Sequence, residues 1–130
     1  MVTLPNLQSN PRAHTANSSA SSSPNIQKLQ RALQLPRPEA FQLLAQTFQA
    51  LADPTRVKIV WLLAKKASRV GELAQIMGMS QPAVSHHLRT LRNLRLVRVV
   101  REGRTASYSL DDEHIEVLLR EGLIHVEDLL

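Results

Sequence analysis

The 130-residue chain contains no cysteine. That absence excludes disulfides, thiolate metal sites and cysteine nucleophiles, and it is compatible with a reducing compartment. No apolar run approaches the ~20 residues of a membrane span. The N-terminus has no basic start followed by an uninterrupted apolar core, so it does not read as a secretory signal. It is serine-rich and free of acid before Glu39, a composition that transit peptides share. No glycine-rich phosphate loop and no nucleophile–base set stands out, so neither an enzyme nor a small-molecule substrate is expected.

Acid is scarce in one place and concentrated in another. Sixteen lysines and arginines against eleven acids give a net charge of +5. Residues 81–110 hold six arginines and a single acid, Glu102, whereas residues 111–130 hold seven acids and a single arginine, Arg120. A basic block points to a polyanionic partner, and the acidic block must serve something else.

A chain of this length fits one domain and a tail, and such a domain can bury a core without disulfides or metal. Residues 1–25, with "NSSASSSPN" among them, have little to bury and read as a disordered tail; residues 26–130 read as the domain. "IQKLQRALQL" predicts a short helix stopped by the prolines of "PRPEA". In the next helical pattern Phe41, Leu44, Ala45, Phe48 and Leu51 share a face. Asp53 is placed to cap the following helix, with Pro54 at its first position. Val57, Val60, Trp61 and Ala64 then line one face of that helix.

"VGELAQIM" then runs to Gly78, a left-handed turn candidate, and Ser80 can cap "QPAVSHHLRTLRN", where Pro82 is tolerated in the first turn. Helix, tight turn and capped helix make a helix-turn-helix. The second helix would bury Val84, Leu88 and Leu91 and present His86 and Arg89, flanked by Gln81 and Ser85. "LVRVVREGRTASYSL" alternates and turns at Gly103, which predicts a β-hairpin with Arg101 and Arg104 at its tip. A hairpin directly after a recognition helix is a wing. The fold class is therefore mainly α with a β-hairpin wing, a winged helix-turn-helix. Gln81, Ser85, His86 and Arg89 are the candidates for a DNA major groove, and Arg101 and Arg104 for the backbone or a minor groove. His86 and His87 are adjacent and point about 100° apart, so they do not chelate together easily. His87 is expected to be partly packed, and His14 uninvolved.

These stretches, "LADPTRVKIVWLLA", "VGELAQIMGMSQPAVSHHLRTLRNLRLVRVVREGRTASYSL" and the closing acidic helix, resemble the ArsR/SmtB family of bacterial metal-sensing repressors over roughly residues 40–130. The resemblance implies a bacterial cytoplasmic protein with no membrane partner, associated with the nucleoid when bound to DNA. It also implies a winged-helix homodimer that reads a palindromic double-stranded operator and leaves it when an inducer binds.

In "DDEHIEVLLREGLIHVED", His114 and His125 are eleven residues apart, close to three turns, on one stripe. Three turns rise about 16 Å, too far for one ion with bonds near 2 Å. Asp112 and His114 of one chain could meet His125 and Asp128 of a partner packed antiparallel, giving two imidazoles and two carboxylates, a plausible zinc set. A symmetric dimer would carry two such sites. A solvated acidic face on a dimer helix, without metal, is the alternative. The resemblance places the C-terminal-helix zinc ligands on Asp112, His114, His125 and Asp128. It departs from the family in the shorter Asp128, for which Glu127 or water could substitute. The family's cysteine site is absent, since its helical position reads Arg69. Zinc leads; cobalt is chemically close, and nickel would ask for additional ligands.

Overall fold

The computed structural model describes residues 23–130. Residues 1–22, which include most of the expected tail and His14, lie outside the described residues. The chain divides between Pro38 and Glu39. In the first part, helix α1 spans Pro24–Ala32, starting two residues inside the stretch read as tail. It ends with Gln34 left-handed (φ 51°), Gln34 N–H donating to Arg31 O and Leu35 N–H to Gln30 O. This is the paired-carbonyl closure usually built on glycine.

The second part holds α2 (Pro38–Ala50), all but its first residue, and α3 (Pro54–Lys65). Asp53 Oδ1 accepts from Thr55 N (2.8 Å) and Arg56 N (3.2 Å), and Pro54 takes the first helical position. Those backbone donors, Arg56's first, hold the Asp53 carboxyl below its ordinary value of 3.8. Of the face lined by Val57, Val60, Trp61 and Ala64, Val60 is buried and the other three are half-buried; Ile59 and Leu63 beside it are buried as well. "VKIVWLLA" is apolar almost all round, so periodicity alone could not choose its face.

Helices α4 (Val70–Met77) and α5 (Gln81–Asn93) form the helix-turn-helix. Arg69 N–H donates to Glu72 Oε1 (3.1 Å) at the start of α4. Gly78 takes φ 63° between the helices, and Ser80 Oγ accepts from Ala83 N (3.3 Å) at the start of α5. Val84, Leu88 and Leu91 are fully buried. Together with Ile59, Val60, Leu63, Leu73, Leu96 and Val97 they form the core. Burying such side chains supplies roughly 1.5–3 kcal/mol each.

Strands β1 (Val97–Glu102) and β2 (Thr105–Leu110) pair antiparallel from Val97↔Leu110 to Glu102↔Thr105. Only Gly103 and Arg104 remain in the turn, and Gly103 takes φ 61° at its first position, where L residues are disfavoured. Ser68, buried, adds one more rung by exchanging backbone hydrogen bonds with Tyr108 (2.9 and 2.8 Å). One isolated rung leaves no alternating pattern to read in advance. Helix α6 (Glu113–Glu127) closes the chain and packs on α3 and β2. No helix among the described residues is long and apolar enough to cross a membrane.

Among the described residues of the second part, apolar side chains of α2 and α6 remain exposed. Phe41, Leu44 and Phe48 of α2 are 51%, 46% and 50% exposed, and α6 leaves Val117, Ile124 and Val126 comparably open. A groove of about 810 Å³ between α3 and α6 is lined by Leu51, Val57, Trp61, Leu123 and Ile124 among others.

Candidate functional site

The recognition surface grows from the local signals. With Val84, Leu88 and Leu91 locked inward, the rest of α5 must turn outward. Gln81, His86 and Arg89 are exposed and Ser85 is half-buried on that side. Arg101 and Arg104, also exposed, stand at the end of the hairpin. All six expected DNA contacts are therefore available on α5 and the wing. His87 is half-buried and its Nδ1 accepts from Arg56 Nη1 (3.5 Å). Arg56 also donates to Ala50 O and pairs with Asp53 Oδ2 (3.4 Å), so the start of α3 is tied to the recognition helix.

At the other pole, Asp112 has a role that its reading as a ligand had hidden. It caps α6: its Oδ1 accepts from His114 N (2.9 Å) and Ile115 N (3.3 Å). His114 lies in the first turn of α6. Its Nδ1 lies 3.4 Å from the same Asp112 oxygen, and the ring is 93% exposed. These contacts use His114 Nδ1 and Asp112 Oδ1 and do not involve His114 Nε2 or Asp112 Oδ2. A carboxylate beside one ring nitrogen is also the usual way to orient a histidine whose other nitrogen binds metal. His125 and Asp128 are exposed at the far end of α6. His125 borders an apolar groove with Phe48, Leu119, Gly122 and Val126. Asp128 stands one residue past the helix, as does Asp112 before it.

The structure thus brings Asp112 and His114 together and leaves His125 and Asp128 apart from them. Among the described residues no three His, Asp or Glu side chains are close enough to hold one ion. The donor set nonetheless fits a hard or borderline divalent ion, because every member is an exposed carboxylate or imidazole.

A helix-turn-helix whose second helix runs straight into a two-stranded hairpin defines a winged helix-turn-helix protein. Residues 53–99 match the family model "Bacterial regulatory protein, arsR family". The chain is 47% identical over 91 residues to the HTH-type transcriptional regulator NmtR of Mycobacterium tuberculosis, covering 70% of this chain and 76% of that protein. It is 45% identical over 87 residues to a transcriptional repressor SmtB homolog of Synechocystis, covering 67% and 66%. Among solved structures it resembles a homodimeric winged helix-turn-helix DNA-binding domain from Mycobacterium bovis, a possible ArsR-family transcriptional regulator. The TM-score there is 0.67 at 26% identity, covering 74% of this chain and 91% of that one. The chain belongs to the ArsR family, whose named members are transcriptional regulators and not enzymes. It spans about two thirds of the length of the curated relatives it matches.

Proposed function

We propose that the protein is a metal-responsive transcriptional repressor that binds operator DNA as a homodimer and leaves it when zinc binds between the protomers. The observation that carries this reading is the split of four exposed donors between the two ends of α6, with Asp112 and His114 at one end and His125 and Asp128 at the other. Neither pair can close a site alone. Antiparallel packing of α6 on its copy sets the start of one helix beside the end of the other and completes two sites per dimer. The uncovered apolar faces of α2 and α6 supply the reason to pair.

Gln81, Ser85, His86 and Arg89 address base edges, each protomer reading one half of a palindrome, while Arg101 and Arg104 hold phosphate or line a minor groove. When bound, the ion supplies a link across the dimer that favours one arrangement of the two α6 helices. If the recognition helices fit DNA poorly in that arrangement, linkage requires zinc to weaken DNA binding by the same factor by which DNA weakens zinc binding. Typical couplings of ~1–3 kcal/mol are enough to switch occupancy. Cobalt fits the same donors, and nickel would need ligands from elsewhere in the chain.

One observation favours a second reading. Asp112 is already engaged as a helix cap, which explains it without any metal, and α6 could serve dimerisation only. Zinc titration of the purified dimer separates the two, with binding in a fixed ratio required by the first. The sensor itself is tested on a duplex selected by the protein from a random pool. Zinc should lower its affinity for wild type, whereas His114→Ala and His125→Ala should bind the duplex and ignore zinc. An affinity indifferent to zinc in the wild type refutes the proposal.

A further inference from the structure

Six arginines follow one another at every third position: Arg89, Arg92, Arg95, Arg98, Arg101 and Arg104. The recognition surface described above uses the first and the last two. The middle three converge elsewhere. Arg92, Arg95 and Arg98 line one recess of about 420 Å³ at the end of α5 and the root of the wing. Val97 and Val99 also line it, and Asp111 is its one carboxylate. Among the described residues none of the three arginines stands within 4 Å of any carboxylate, since the ion pairs there involve Arg56, Lys66 and His114.

The recess is held by the fold. Arg98 Nε donates to Ser109 Oγ (3.3 Å) across the hairpin. Arg95 is left-handed (φ 56°), a conformation that L side chains rarely adopt. It is fixed there because Arg95 N–H donates to Arg92 O (2.9 Å) and Leu96 N–H to Leu91 O (3.0 Å), with Leu91 and Leu96 both buried. Glycine is the residue usually found at such a helix end. An arginine there adds a third basic residue to the lining of the recess at the expense of backbone comfort, and an outlier of this kind is a fair pointer to a functional demand. Arg92 follows Ser85 by seven residues, two turns, so it extends the edge of the helix that carries Ser85.

We propose that Arg92, Arg95 and Arg98 form a phosphate-binding site separate from the base-reading surface. Guanidinium groups match phosphate oxygens in fork geometry, and three around one recess outweigh the single Asp111. The phosphate is one of the backbone of the bound duplex or that of a free phosphate compound. The DNA form of the proposal rests on the DNA-binding reading above.

The test compares wild type with the triple variant Arg92→Gln/Arg95→Gln/Arg98→Gln. Glutamine is already tolerated left-handed at Gln34, and an unchanged urea midpoint would show the fold intact. Affinity for a random-sequence duplex is measured by fluorescence anisotropy between about 50 and 200 mM salt, and pyrophosphate binding by calorimetry. If each protomer takes one backbone phosphate, the variant's slope of log affinity on log salt is shallower by about 2 for the dimer. An unchanged slope, with pyrophosphate bound saturably by wild type and not by the variant, assigns the site to a free phosphate compound. If wild type binds pyrophosphate but no duplex, the DNA-binding reading falls while the phosphate site stands. Duplex binding with an unchanged slope and no difference in pyrophosphate binding overturns the proposal.

Discussion

Asp112 is asked to do two things, and two substitutions separate them. Its Oδ1 satisfies two backbone donors of the first turn of α6, His114 N and Ile115 N, whereas Oδ2, which makes no such bond, is the oxygen that the proposed zinc site would use. Asp112→Ala removes both roles. Losing a side-chain cap costs typically about 1 kcal/mol, which lowers the melting temperature of a domain this size by about 4–8 °C. Asp112→Asn keeps the acceptor, since asparagine caps about as well as aspartate. Its remaining loss is the negative charge at the helix start, about 0.3–1 kcal/mol at low ionic strength and less in salt. Zinc should distinguish the pair in the other sense. Replacing a carboxylate ligand by a neutral amide should weaken zinc by more than the roughly 10–100-fold that an outer-shell partner costs. The assay is thermal unfolding of EDTA-treated protein at one fixed protomer concentration in moderate salt, followed by zinc titration against a competing chelator. An Asp112→Asn variant that binds zinc as tightly as wild type removes Asp112 from the ligand set. An Asp112→Ala variant that melts with wild type shows that the cap does not stabilise α6.

Three further outcomes follow from the packing and charges. Leu88 is fully buried where α5 meets the core, so Leu88→Ala should cost about 2–5 kcal/mol, and a urea midpoint close to wild type would contradict the burial. Phe41→Glu/Phe48→Glu should turn the dimer into monomers in sedimentation. Each half-exposed ring withholds roughly 1 kcal/mol of burial, and four rings per dimer correspond to about a thousand-fold in dissociation constant. A dimer that persists would show that the α2 face is not its interface. Because the folded-state carboxyl of Asp53 lies below 3.8, its contribution is complete above that value and is lost as pH falls through the lowered one. Asp53→Asn should therefore flatten the acid limb of the stability curve below about pH 4, and an unaltered limb would remove Asp53 from the account.

What could be read in the sequence was what local chemistry dictates. Asp53 with Pro54, Ser80, Gly78 and Gly103 each mark a boundary because a cap, a fixed φ or a left-handed turn demands that residue type. The i, i+4, i+7 set of Val84, Leu88 and Leu91 marked which side of α5 faces outward, and with it the four candidate DNA contacts on that helix. Three features escaped for physical reasons. The face of α3 was ambiguous because both of its stripes are apolar. Arg95 and Gln34 adopt a conformation that only glycine or asparagine would have advertised. The Ser68 rung depends on a tertiary contact with Tyr108. The apolar face of α2 was legible as a face, but a periodicity cannot say whether its cover is intramolecular. In the fold that cover is missing from the chain's own described residues.

Under the proposed function, the demand for a second copy arises twice on α6, from independent causes. The proposed metal site needs one because His114 and His125 are about three turns apart. Its apolar residues need one because Val117 and Ile124, seven residues apart, form a stripe that stays half-exposed. At 100° per residue the Val117–Ile124 stripe lies roughly 80° from the His114–His125 stripe, so the two run side by side. A dimer seam built on Val117 and Ile124 would thus carry the donors along its flank, and not at its centre. There, a link between His114 of one helix and His125 of its partner would pull the two helices about the seam and would not simply tighten it. A rotation of this kind would reach the proposed DNA-reading surface through α3, which packs on both α6 and α5. The Arg56–His87 contact is one point of that path. If the path is used, Arg56→Gln should leave zinc stoichiometry unchanged while reducing the factor by which zinc weakens DNA binding. A full zinc response in Arg56→Gln would show that the coupling runs elsewhere.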